Sequence, residues 1–280
     1  MQDASVLSQT DLEEIAGYIK RDNLAIVNAN VEKVKPRVSF YTRYGKRFID
    51  IIVSGLALIV TAPINLIIAI VTLFDVGTPI IFKQNRVGKD MKCFTIYKFR
   101  NMTNERDVNG ELLPPAQRVT KWGKFVRKTS LDELLNFVSI FNGSMSLIGP
   151  RPLLDYYAAR LNDRHKGIYL VKPGLECPTL KHVDHALSWQ ERLDNYVWYV
   201  ENCSLWVDIR LAFRIVQVAL DRKSTAKRSN ASHGGVLGYA ADGSMIYSKQ
   251  VPDKYIAEFC SVHGYSSLED AVKAREEQIA

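Results

Sequence analysis

The stretch IIVSGLALIVTAPINLIIAIVTLF, residues 51–74, decides what kind of fold this chain can adopt. It carries no charge and lies between Asp50 and Asp75. As one straight helix it would reach roughly 36 Å at about 1.5 Å per residue, enough to cross a bilayer core. Pro63 stands at its centre, where it removes a backbone donor and crowds the preceding turn; Asn65 is a polar group that needs a partner in lipid. Cations flank both ends: Arg37, Arg43, Lys46 and Arg47 before it, Lys83, Arg86, Lys89 and Lys92 after it. Cationic residues favour the cytoplasmic face, so a simple span puts one group on the wrong side. A helix broken at Pro63 that enters and leaves one leaflet satisfies both groups. The residues alone leave the two topologies open. A signal peptide is not expected, because no small-residue cleavage site follows the segment.

Working outward, residues 38–50 mix aromatics with cations, a composition that suits an interfacial helix feeding the apolar segment. Beyond the segment, Gly77-Thr78-Pro79 turns the chain. Ile80 to Phe82 and Phe94 to Phe99 read as the strands of a β-hairpin, with Gln84 to Gly88 as its turn. Arg86, Lys98 and Arg100 are then expected to gather near one end. The polar stretch 103–117 ends at Pro114-Pro115.

The block RKTSLDELLNFVSIFNGSMSLIGPRPLL, residues 127–154, carries the chemistry. Ser130 is expected to cap a helix, with Glu133 as its capping-box partner and Leu131, Leu134, Leu135 and Val138 as its apolar stripe. Asp132 and Glu133 would then feel the positive end of the helix dipole, which favours their ionised forms. Arg127 lies upstream, and Arg151 lies downstream on a turn between two prolines. Carboxylates near fixed arginines suit chemistry on a phosphate held by a divalent cation. A capped, solvated helix start has the same pattern.

Composition sets further bounds. The net charge is +7, yet residues 1–36 hold six acids and four bases, and residues 223–280 hold seven of each. The middle is therefore the basic part, which attracts anionic headgroups and phosphorylated substrates; no nucleic-acid-binding motif accompanies it. Cys93, Cys177, Cys203 and Cys260 are scattered without a Cys-x-x-Cys spacing, as expected in a reducing compartment. Cys177, His182 and His185 lack a fourth ligand for a zinc site. Helices are expected over 11–20, 153–164, 188–202 and 206–220. A polar linker follows over 223–235, then a hairpin over 236–248 and a last helix capped by Ser267.

Five landmarks in fixed order resemble the bacterial sugar transferases, the monotopic polyprenyl-phosphate phosphoglycosyl transferases. They are Lys46-Arg47-Phe48-Ile49-Asp50, Gln84-Asn85-Arg86-Val87-Gly88, Tyr97-Lys98-Phe99-Arg100-Asn101-Met102, Ser130-Leu131-Asp132-Glu133-Leu134 and Met145-Ser146-Leu147-Ile148-Gly149-Pro150-Arg151-Pro152. The match runs from about Lys46 to Leu220. The resemblance implies an α+β fold: a re-entrant helix-break-helix, broken at Pro63, on a small, mostly helical cytosolic domain with a β-hairpin. It places Lys46, Arg47 and Asp50 at the membrane boundary, and domain limits at 1–37 (arm), 38–222 (catalytic) and 223–280 (accessory).

The resemblance also implies transfer of a sugar 1-phosphate from a UDP-sugar to polyprenyl phosphate at the inner leaflet, with release of UMP, as the first membrane step of a glycan. Asp132 would be the nucleophile, Glu133 its helper, and Mg²⁺ the cofactor held by both. Lys98, Arg127, Arg151 and Arg86 would hold phosphate oxygens. A homodimer and contacts with downstream glycosyltransferases are left open. The resemblance breaks over residues 175–185, LECPTLKHVDH, where Asp184 stands in place of the family's arginine; Tyr196 replaces an aspartate further on. Those positions belong to the nucleotide-sugar side. A non-catalytic relative that binds lipid phosphate or a glycan-assembly partner is the second reading, and a single-span anchor the third.

Overall fold

The computed structural model describes residues 1–107, 110, 112–180, 185–220 and 234–279. Helix α1 (Gln9–Ala29) precedes a π-helical stretch (Tyr41–Gly45) that runs into α2 (Lys46–Val76). Strands β1 (Ile81–Val87) and β2 (Cys93–Phe99) come next, then helices α3 (Pro115–Arg118) and α4 (Lys121–Lys128). A 3₁₀ turn (Leu131–Glu133), α5 (Asn136–Asn142), β3 (Ser146–Ile148), α6 (Asp155–Arg160) and β4 (Gly174–Glu176) follow. The chain continues through α7 (Trp189–Asn202), α8 (Leu205–Leu220), β5 (Val236–Tyr239), β6 (Met245–Tyr247), α9 (Asp253–His263) and α10 (Leu268–Ile279). Helix and sheet are thus mixed, and the named strands pair two by two. The chain divides into a site unit (residues 38–152 and 172–175) and a flanking unit (1–37, 153–171 and 176–280).

In the site unit, α2 is long and apolar enough, by length and composition, to cross a membrane. The expected interruption at Pro63 is not seen: helical backbone continues on both sides of it. Polar side chains nearby bond locally, Thr61 Oγ1 donating to the Ala57 carbonyl and Asn65 Nδ2 to Thr61 Oγ1. Such local bonding is how an apolar helix tolerates proline. Both ends of α2 are tied to the same unit. At the N-terminal end Arg47 donates to the Ile140 and Phe141 carbonyls, each at 2.6 Å, and buried Asp50 accepts from Ser146 Oγ and Leu147 N, each at 3.0 Å. At the other end Trp122 Nε1 donates to Thr72 Oγ1 and Thr120 Oγ1 to Asp75, while Arg100 donates to the Val76 and Thr78 carbonyls. Ser54 and Ile68 are buried near the ends, whereas Leu56, Ile59, Val60, Leu66 and Ile67 between them are exposed.

The hairpin forms, but its turn lies further along than expected. β1 stays paired through Val87 opposite Cys93, and the reversal occupies Gly88 to Lys92, with Asp90 and Met91 in the left-handed region. Arg86 therefore sits on a strand. The helix expected to start at Ser130 starts instead at Asn136. Ser130 adopts φ 56° and makes no capping bond, so the capping box is absent. In α5 the buried side chains are Asn136, Ser139 and Ile140, not the expected leucine–valine stripe; Val138 and Phe141 are exposed.

In the flanking unit, α1 extends beyond the expected 11–20 because Ser8 and Asp11 form a capping box and Ile15, Ala16, Ile19 and Val27 continue a buried face. Segments expected as a separate arm and accessory piece share one core: Ile15 and Ile19 pack with Leu237, Ile246, Tyr255 and Phe259. A Cβ on Gly238 would stand 2.7 Å from Ile19, so glycine lets β5 lie against α1. The hairpin of 236–248 is present as β5 paired antiparallel with β6. Ser188 and Glu191 cap α7, whose Tyr196 and Tyr199 are buried, so its aromatics serve packing. By contrast α8 exposes Trp206, Phe213 and Val216. His182, Asp184 and the bulk of the expected linker, 223–233, lie outside the described residues.

Candidate active site

Alternation along the hairpin builds the first wall. Side chains on a strand point to opposite faces in turn, and the register sets Gln84 opposite Ile96 and Arg86 opposite Phe94. Arg86, Ile96 and Lys98 consequently line one cavity, together with Glu133, Asn136, Met145, Arg151, Pro152, Gly174 and Leu175. Arg86 is held by Gln84 Oε1, at 2.6 Å from Nη2, and by the Pro152 carbonyl, at 3.2 Å. The opposite wall depends on two glycines. A Cβ on Gly174 would fall 2.1 Å from the Gly149 nitrogen, so only glycine lets the Gly149-Pro150-Arg151-Pro152 turn close against residues 172–175. That closure aims Arg151 inward, where its Nη1 donates to the Leu175 carbonyl at 3.2 Å.

The two carboxylates arrive on the 3₁₀ turn. Thr120 caps α4 by accepting from Gly123 N at 2.8 Å, and α4 ends at Lys128. Ser130 then reverses the chain in a left-handed conformation that costs a non-glycine residue energy and that recurs at functional sites. Glu133 Oε1 accepts from Lys98 Nζ at 2.6 Å and from Arg151 Nη2 at 2.5 Å. These are short charge-assisted bonds of the strong kind. Asp132, 6% exposed, accepts from Asn101 Nδ2 at 3.2 Å.

Electrostatics separates the pair. Burial raises the Asp132 carboxyl above its ordinary 3.8, against the pull of the Lys98 charge. Burial acts the same way on Glu133, but the charges of Arg151 and Lys98 outweigh it and hold that carboxyl below its ordinary 4.5. Adjacent carboxyls pushed in opposite directions mark a division of labour. Glu133 is the fixed anion that orients two cations. Asp132 is buried and lies outside that clamp, accepting instead from Asn101.

Of the residues expected at the site, Lys98, Glu133, Arg151 and Arg86 line one cavity, and Asp132 stands beside it. Arg127 does not line it; it is exposed and acts on Asp132 through its charge. Arg100 is turned away and serves α2. Two asparagines escaped the sequence reading as site residues, Asn101 and Asn136. Asn101 follows directly on the hairpin cations, and Asn136 lies four residues after Asp132; that spacing was the available signal.

A family model for the bacterial sugar transferases matches residues 41–222, more than half of the chain and the whole of this site. The chain belongs to the bacterial sugar transferase family. Among curated members, an uncharacterised sugar transferase of Bacillus subtilis is 38% identical over 175 residues, covering 62% of this chain and 87% of that protein. An undecaprenyl-phosphate galactose phosphotransferase of Salmonella typhimurium is 34% identical over 198 residues, covering 65% of this chain and 41% of its own length. A UDP-glucose:undecaprenyl-phosphate glucose-1-phosphate transferase of Klebsiella pneumoniae is 34% identical over 199 residues, with shares of 64% and 41%. This sugar transferase thus spans less than half the length of the last two relatives. The matched region ends before β5, so the hairpin and helices that complete the flanking core lie outside the family's model.

Proposed function

We propose that this chain transfers a sugar 1-phosphate from a UDP-sugar to polyprenyl phosphate (undecaprenyl phosphate in the named relatives), releasing UMP, as the first membrane step of a glycan such as an exopolysaccharide or O-antigen. The observation that carries this reading is the unequal pair: Asp132 desolvated and unclamped, Glu133 clamped between Lys98 and Arg151.

In the first step an Asp132 carboxylate oxygen attacks the phosphorus that bears the sugar. An oxygen–phosphorus bond forms, the bond to the bridging oxygen breaks, and that oxygen leaves on UMP. In the second step an oxygen of the lipid phosphate attacks the same phosphorus and the bond to Asp132 breaks, giving the polyprenyl diphosphate sugar and the free carboxylate. Desolvation favours this use of Asp132, because a more basic carboxylate is the better nucleophile. Lys98 and Arg151 are held within hydrogen-bonding reach of Glu133 and can share their remaining donors with phosphate oxygens.

The residues suit a divalent cation that arrives with the diphosphate. Two adjacent carboxylates, Asp132 and Glu133, stand at the cavity, and magnesium commonly uses one or two carboxylates plus substrate phosphates. Asp132 would supply the freer carboxylate, since Glu133 is engaged by two cations. Bound there, Mg²⁺ would neutralise diphosphate charge.

The same reading places α2 as a re-entrant element in the cytoplasmic leaflet. Its support is that both ends of α2 are tied to one unit while its exposed apolar middle, centred on Pro63, stands clear, and that cations flank both ends. Exposed Phe40, Tyr44 and Phe48 beside Arg43 suit the interface below it.

The test is UMP release by detergent-purified protein given Mg²⁺, undecaprenyl phosphate and a panel of UDP-sugars. Release with one donor is expected, together with a sugar phosphate trapped on the Asp132 peptide when the lipid is withheld. Silence across the panel from folded protein would turn the reading to a non-catalytic binder of lipid phosphate.

A further inference from the structure

Among the side chains of the cavity wall, Asn136 is the one that is polar but uncharged. It opens α5, three residues after Glu133 and four after Asp132, and is 3% exposed. Its Oδ1 is buried and has no hydrogen-bond partner among the described residues. Buried acceptors are nearly always matched, and an unmatched one on a residue that lines a functional cavity points to a missing donor. That donor is not a phosphate: ionised phosphate oxygens accept hydrogen bonds, and Lys98, Arg151 and Arg86 already face them. Oδ1 needs an O–H or N–H group.

We infer that Asn136 accepts a hydrogen bond from a hydroxyl of the donor's sugar and so helps to decide which sugar is used. The inference rests on the transferase reading. The geometry is consistent with the chemistry: the sugar hangs from the phosphorus under attack, and Asn136, four residues after Asp132, opens the helix that follows the 3₁₀ turn and lines the same cavity as Glu133. The cations are blind to the sugar's stereochemistry, since they recognise the phosphates common to every UDP-sugar. A neutral amide reads the direction of a hydroxyl, and a site that bonds a hydroxyl rejects the analogue that lacks it.

The test substitutes Asn136→Leu, close in volume and without hydrogen-bonding groups, with Asn136→Ala alongside as a smaller truncation. UMP release is measured with the preferred UDP-sugar and with analogues deoxygenated at each ring position in turn. The variants are expected to lose about tenfold in kcat/KM on the parent sugar, the worth of one such bond. They are expected to lose nothing further on the one analogue that lacks the hydroxyl in question. Inhibition by UDP should stay unchanged, and the Leu variant should melt at or above the wild-type temperature, because an unmatched buried acceptor has been removed. Equal losses on every analogue would overturn the inference, as would undiminished use of the parent sugar. Weakened UDP inhibition would overturn it too, assigning Asn136 to the nucleotide. Absence of UMP release by the wild type would instead bring down the transferase reading and the inference with it.

Discussion

The flanking unit and the site unit differ in how much apolar core they hold, although both bury polar side chains, among them Arg160, His165 and Asp208 in the flanking unit. In the flanking unit Ile15, Ile19, Leu237, Tyr255 and Phe259 meet in a continuous apolar interior, and buried Asn23 is matched by the Tyr239 carbonyl and the Tyr255 hydroxyl, each at 2.8 Å. The site unit has a small core around Ile96, Ile140 and Met145. Around it are buried Asp50, Thr72, Arg100, Asp132, Asn136 and Ser139, while Ile59, Val60 and Leu66 face outward. A unit with its apolar groups inside is stable in water by its own packing. The exposed apolar middle of α2 on the site unit is a surface of the kind that marks a membrane or protein contact. The site unit also allows ionised and strained groups to be held at the centre, because hydrogen bonds to backbone and to opposite charges fix the elements that carry them.

The contrast can be broken at four places. Asp132→Asn should lower UMP release by about a thousandfold or more, since the proposed mechanism uses that carboxylate as its nucleophile. Flotation with lipid vesicles should not change, and a variant that still turns over normally would remove Asp132 from the mechanism. Phe259→Ala, in the flanking core, should cost about 3–5 kcal/mol in denaturant unfolding while leaving KM for the donor unaltered wherever the protein stays folded. Pro63→Ala restores a helix donor and relieves about 3 kcal/mol of disfavour toward a straight helix. Cysteines placed at positions 45 and 78 should be labelled from the same side in the parent and from opposite sides in this variant. The smallest effect is expected from Glu133→Gln, about 1–2 kcal/mol at neutral pH once partial exposure is allowed for. Because the folded carboxyl lies below 4.5, its contribution is complete above that value and disappears as pH falls through the lower folded value. Stability curves of parent and variant should therefore converge in acid, and a gap that persisted there would assign the bond to something other than charge.

What could be read from the sequence was what short-range physics decides. Residues 236–239 and 245–247 form a hairpin because Asp242-Gly243 supplies its turn, with Gly243 at φ 86°. Helix α7 begins where Ser188 and Glu191 cap it, and α10 follows a Ser267 hydroxyl that accepts from Asp270 N. The site block defied the same rules because distant charges outweighed local preference. Glu133 has the spacing of a capping partner for Ser130 yet turns to Lys98 and Arg151, 35 and 18 residues away. The strand over Gln84 to Val87 looked like a turn because it is polar: Arg86 lines the charged cavity, Gln84 holds Arg86, and exposed Asn85 bonds Thr95 across the hairpin. The true reversal uses Asp90 and Met91 at positive φ, which no glycine announces. The buried face of α5 was hidden because the helix starts later than expected: of the expected stripe only Val138 falls in it, and there it is exposed, while Leu131, Leu134 and Leu135 precede it and are half-buried.

Residues 98–101 act as a short lever. Lys98 reaches Glu133, Arg100 holds the C-terminal end of α2 at Val76 and Thr78, and Asn101 reaches Asp132. One segment of four residues, leaving the end of β2, therefore links the C-terminal end of the apolar helix to both acidic side chains. On the proposed reading, with α2 seated in a leaflet, its depth of immersion would set the height of Asp132 above the lipid headgroups, and activity would then depend on bilayer thickness.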